Sequence, residues 1–83
     1  MNIYEAVKQA KQNKAWDESK TPVSVNVGFE RTKNIHDRTQ FDLYEDYDRT
    51  RELEGLWKDF CRENGLRPAC ITHVETVEYE DLY

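Results

Sequence analysis

Val23-Ser24-Val25-Asn26-Val27-Gly28-Phe29-Glu30 is the stretch from which the fold follows. Valine or phenylalanine takes every odd position and a polar or small residue every even one. That is the period of a strand with one face buried and the other open. Downstream, residues 31–38 are polar and read as the connection to a returning strand, too long for a two-residue hairpin turn. Thr39, Phe41 and Leu43 then alternate with Gln40, Asp42 and Tyr44 as that second strand.

Upstream, residues 17–22 read as a loop, since polar residues cluster there and Pro22 biases Thr21 away from helix. Residues 2–14 before it carry Ile3, Ala6, Val7 and Ala10 at helical spacing, with Lys8, Lys11 and Lys14 on the other side. Asn2 and Glu5 stand in the positions of a capping box. A second helix is predicted over residues 49–64, where Leu53, Leu56, Trp57, Phe60 and Cys61 form an apolar stripe and Glu54 can pair with Lys58. Gly65 should end it in the left-handed conformation with Leu66 folding back, and Pro68 prevents continuation. In the last predicted strand, residues 69–79, Ile71, Val74 and Val77 recur every third position. That spacing spreads them over both faces, so the strand is either central or shifted in register by a bulge.

The order helix-strand-strand-helix-strand, with a right-handed crossover through the second helix, sets the third strand beside the first. The expected fold is therefore α+β: a three-stranded antiparallel sheet of order 2-1-3 with two helices on one face. With 83 residues, the chain forms one small domain spanning 1–83, since either half alone could not bury a core.

Hydrophobic residues make up 37% and charged residues 35%, so the core is thin, but two Trp, three Phe and five Tyr can fill it. A small-molecule cavity of roughly 300 Å³ is hard to carve from such a core, which argues against a stand-alone enzyme. A net charge of −5 disfavours direct binding to nucleic acid or anionic lipid. No apolar run approaches the ~20 residues of a membrane span, and the first residues lack the features of a signal peptide, so a cytoplasmic location is expected. Cys61 and Cys70 fit that compartment as free thiols.

Cys61, Cys70 and His73 do not have the spacing of a zinc site, and Cys70 and His73 point to opposite faces of a regular strand; no metal is expected. Cys70 with His73 is also the sole local pairing for nucleophilic catalysis, and it lacks an oxyanion motif and an orienting acid. A thiol enzyme using these two residues is the third-ranked reading. Three glycines supply no phosphate-cradling loop, and no cofactor is expected. Adjacent carboxylates such as Glu45 and Asp46 point apart on a strand, and Lys8, Lys11 and Lys14 read as a solubilising stripe.

The charge is unevenly spread. Asp42, Glu45, Asp46 and Asp48 fall within residues 41–48, and Glu75, Glu78, Glu80 and Asp81 within 75–83, with no Lys or Arg in either stretch. These eight acids carry −8 of a net −5, leaving +3 on the other 66 residues. Charged edges and chain ends guard a sheet against edge-to-edge association, which is one reading. The other rests on Phe41, Tyr44, Tyr47, Tyr79 and Tyr83, because tyrosine beside carboxylate suits a partner rich in Lys or Arg. The function expected on that basis is a non-enzymatic protein-binding module, an acidic inhibitor of a basic protein. Its contact residues would be Asp42, Tyr44, Glu45, Asp46, Tyr47 and Asp48, helped by Glu78, Glu80 and Asp81. The alternative is an assembly protein, a homodimer joined through the tyrosine-rich surface.

A short acidic chain bearing Tyr44-Glu45-Asp46-Tyr47-Asp48 and Tyr79-Glu80-Asp81-Leu82-Tyr83 resembles the small anti-defence proteins of phages and mobile elements, anti-CRISPR and antirestriction inhibitors among them. The resemblance implies stoichiometric binding to a nuclease or other nucleic-acid-binding protein, and it carries over no catalytic residue. The net positive remainder of the chain departs from an inhibitor that is acidic throughout.

Overall fold

A computed structural model of the chain describes residues 1–44 and 48–80. Its elements are α1 (Ile3–Gln12), β1 (Pro22–Thr32), β2 (Ile35–Asp42), α2 (Arg49–Asn64) and β3 (Ile71–Tyr79). The strands form one antiparallel sheet of order β2-β1-β3, with β1 in the centre, so the α+β architecture expected from the sequence is the one observed.

The odd residues of β1 begin the core. Val25, Val27 and Phe29 are fully buried, and both helices lay their apolar stripes on that face: Ile3, Ala6, Val7 and Ala10 from α1, Leu53, Trp57 and Cys61 from α2. The rings of Phe29, Phe41, Trp57 and Phe60 interlock, mostly edge to face, with centroids 5.5–6.0 Å apart. Such contacts add to what area burial alone supplies. The one polar atom Trp57 takes inside is satisfied, as its Nε1 donates to the Pro68 carbonyl at 2.8 Å.

Both helices carry the caps their sequences require. Asn2 Oδ1 accepts from the Glu5 N–H at 2.9 Å, and Asp48 Oδ1 accepts from the Arg51 N–H at 3.0 Å. Gly65 closes α2 at φ 65°, with the Leu66 N–H donating to Cys61 O. The end of α1 has the same geometry without a glycine: Lys14 sits at φ 62°, and the Ala15 N–H reaches back to Ala10 O.

β3 resolves the spacing of three by bulging. Val77 stands opposite Val25, Val74 opposite Val27 and Ile71 opposite Phe29, and the register slips between Asn26 and Val27 and again between Gly28 and Phe29. Each slip places an additional β3 residue, Glu75 or Thr72, in the strand. Three apolar residues that a regular strand would divide between two faces therefore all meet the core.

The β1–β2 connection corrects the sequence reading. Residues 31–38 are not a long loop. Thr32 pairs with Ile35 across a turn of only Lys33 and Asn34, and Asn34 takes the left-handed φ of 64° that asparagine tolerates. The strands run to the tip as a largely exposed arm, which explains why no apolar alternation marks them there.

Candidate functional site

The topology carries the two acidic segments to one end of the sheet. β2 and β3 both run against β1, so their last residues flank its first ones: Asp42 and Glu78 each stand opposite Ser24. Just beyond, the Leu43 N–H donates to Val23 O at 2.8 Å and the Glu80 N–H to Thr21 O at 2.9 Å. Asp42, Glu78 and Glu80 are exposed, and Tyr44 is 78% exposed. The Tyr44 backbone N–H donates to Glu52 Oε1 at 2.6 Å, which fixes the chain and leaves the ring in water.

The cations of this region serve other acids. Arg49 lies 3.8 Å from Glu52, Lys11 3.3 Å from Glu18, and Lys20 4.0 Å from Asp17. Among the described residues, no lysine or arginine forms an ion pair with Asp42, Asp48, Glu78 or Glu80. Asp42 accepts from its neighbour Gln40 Nε2 at 3.4 Å. Asp48 has a local task, capping α2, that the partner-binding reading did not assign to it; an acid directly before a helical stripe was the available signal. Glu45, Asp46, Tyr47 and Asp81 lie outside the described residues.

Tyr79 differs from Tyr44. Its hydroxyl accepts from the Asp17 N–H at 2.6 Å and lies 3.4 Å from the Ala15 carbonyl, and Lys20 Nζ sits 5.5 Å from its ring centroid. It pins the α1–β1 loop, where Asp17 also gathers the Ser19 hydroxyl and N–H. Those two bonds hold the Asp17 carboxyl below its ordinary value.

The sheet face away from the helices is open and polar. Gln40 Nε2 donates to Ser24 Oγ at 2.7 Å and Asn26 Nδ2 to Thr76 Oγ1 at 2.8 Å. The His73 ring lies on Gly28 so closely that a Cβ there would come within 2.6 Å of Cε1. Glu75 lies between Arg38 and the His73 imidazole, 3.7 Å from Arg38 Nη1 and 3.6 Å from His73 Nε2.

Cys70 and His73 are not brought together. Cys70 packs against the core beside Cys61, while His73 lies on the open face with Nδ1 2.9 Å from Thr72 Oγ1. Burial pushes the Cys61 thiol up to about 11, reinforced by Cys70, and burial raises the Cys70 thiol too. Both shifts disfavour the nucleophilic thiolate. Among the described residues, no group of three or more His, Cys, Asp or Glu is placed to hold a metal, and no helix is long and apolar enough to cross a membrane.

No protein-family model matches the chain, and neither does any curated protein or solved structure.

Proposed function

We propose that the protein is a non-enzymatic binding module, an inhibitor whose acidic end occupies the basic surface of a nuclease or other nucleic-acid-binding protein in the manner of phage and mobile-element anti-defence proteins. The observation that carries this reading is that Asp42, Glu78 and Glu80 stand exposed at one end of the sheet, with no lysine or arginine among the described residues in an ion pair with them, and that the open ring of Tyr44 stands at the same end. Carboxylates left uncompensated by their own chain project a negative potential that steers a basic partner and, being solvated, cost little until contact. An apolar-bodied ring with few rotatable bonds then supplies buried area at low entropic cost.

Tyrosine-mediated assembly has less support. Tyr79 spends its hydroxyl inside the fold and Tyr4 donates to Glu54, which leaves Tyr44 as the free phenol among the described tyrosines.

The test is titration of the protein against basic nucleic-acid-binding proteins of its native host at graded salt, with duplex DNA as competitor. Binding should fall as salt rises, DNA should compete, and Glu78→Lys and Glu80→Lys should each weaken affinity by roughly fivefold at low salt. Affinity indifferent to salt and to both reversals would sink the reading.

A further inference from the structure

The two edges of the sheet are protected unequally. β3 carries two bulges, and the Met1 ammonium donates to the carbonyls of Ala69 and Ile71 along its beginning, at 2.9 and 2.7 Å. Bulges and covering groups are the ordinary means of keeping an edge from pairing. β2 has neither. Its eight residues include no proline and no lysine, and its ladder with β1 is unbroken from His36 to Asp42.

The bonding direction of that edge follows from one hydrogen bond. Leu43 donates to Val23 on β1, and direction alternates along a strand. Phe41, Thr39 and Asp37 therefore also bond inward, while Asp42, Gln40, Arg38 and His36 turn their N–H and C=O groups to the free edge. Their side chains all stand on the open face, opposite Ser24, Asn26, Gly28 and Glu30.

A second copy pairing antiparallel across a two-fold axis must match outward residues with outward residues, which leaves few registers. Centred on Arg38, the pairing sets Arg38 against Arg38. Centred on Thr39, it sets Arg38 against Gln40 and His36 against Asp42. Centred on Gln40, it sets Arg38 of each copy against Asp42 of the other, on both sides of a Gln40–Gln40 pair. Only this last register turns both formal charges of the edge into cross-strand attractions. The present contacts of these residues do not oppose it: Arg38 is 76% exposed and only 3.7 Å from Glu75, and Asp42 accepts a long 3.4 Å bond from Gln40.

We infer that β2 is a self-association edge, on which a second copy of this chain docks antiparallel about Gln40 to form a continuous six-stranded sheet closed by two Arg38–Asp42 pairs. The interface is small and polar, so the dimer forms at high protein concentration and loosens with salt. Asp42 serves in both readings, but Glu78 and Glu80 follow β3, on the other side of β1 from the docking edge, so substitutions there separate partner binding from self-association.

Sedimentation analysis of the full chain from micromolar to millimolar concentration, at low and high salt, tests it. Expected is a monomer–dimer equilibrium weakened by salt. Arg38→Asp should weaken the dimer about thirtyfold, as two symmetry-related attractions become repulsions. Asp42→Arg should do the same, and the double exchange R38D/D42R should restore the dimer, which a merely misfolded variant could not do. Gln40→Pro removes no backbone bond to β1, only an outward N–H and the side-chain bonds to Ser24 and Asp42, and should abolish association while far-ultraviolet dichroism stays unchanged. A monomer throughout, or a dimer indifferent to these changes, overturns the inference; neither result alters the salt and Glu78 or Glu80 tests of partner binding.

Discussion

Tyr44 and Tyr79 begin the same tripeptide, Tyr-Glu-Asp, at the same end of one sheet, yet one ring stands in water and the other is built in. The difference lies in what each meets. β3 ends beside the α1–β1 loop, whose Asp17 N–H and Ala15 carbonyl need partners, and Tyr79 supplies a hydroxyl that accepts from one and reaches the other. Tyr44 follows β2 at the opposite edge, where Glu52 takes its backbone N–H and nothing among the described residues claims its phenol. A repeated motif thus divides into a structural half and a free half according to the neighbouring segment, not its own composition.

Substitutions can break that contrast, beginning with the structural half. Tyr79→Ala removes the ring under Lys20 and the anchor of the loop together, and should cost about 2–3 kcal/mol in urea unfolding. Tyr79→Phe keeps the ring and leaves the Asp17 N–H without its acceptor, for about 1 kcal/mol by the same measurement. If the two variants were equal, the ring would contribute little and the hydroxyl would be the whole anchor.

Asp17 offers a smaller and pH-resolved check. Because its carboxyl is held below the ordinary value in the folded state, its contribution is complete above about pH 4 and is lost as pH falls through that range. Acid titration of stability should show this loss, and Asp17→Asn should flatten that part of the profile. Tyr44→Ala is the last and smallest: stability should stay within about 0.5 kcal/mol of the parent, while affinity for a basic partner falls. A large loss of stability from Tyr44→Ala would erase the distinction between the two tyrosines.

Much of the fold was legible because its signals are local and periodic. The alternation in β1, the stripe of Leu53, Trp57 and Cys61, the Asn2 cap and the Gly65 stop all describe physical events within a few residues. What escaped depended on partners distant in sequence or on exposure. The arm beyond Phe29 buries little, so no apolar pattern announced its strands, and the two-residue turn at Lys33 and Asn34 lacks the glycine that usually marks one. Lys14 in a left-handed helix end was invisible for the same reason. In β3 the spacing of Ile71, Val74 and Val77 was noticed, but only pairing with β1 could show that bulges, and not centrality, reconcile it. At the candidate site, charge made the exposure of Asp42, Glu78 and Glu80 legible, whereas aromatic content did not separate exposed Tyr44 from buried Phe41. The commitment of Tyr79 to a loop more than 60 residues away could not be read from its neighbours.

The burial of both tryptophans gives the molecule two optical probes in different places. Trp57 sits in the ring cluster between the sheet and α2, while Trp16 closes the α1–β1 loop that Tyr79 pins, with the Lys11 ammonium 5.9 Å from its ring. Fluorescence from a Trp57→Phe variant therefore reports the acidic end alone, and that from a Trp16→Phe variant the interior. A partner seated at one end of the sheet would change the first emission and leave the second unaltered.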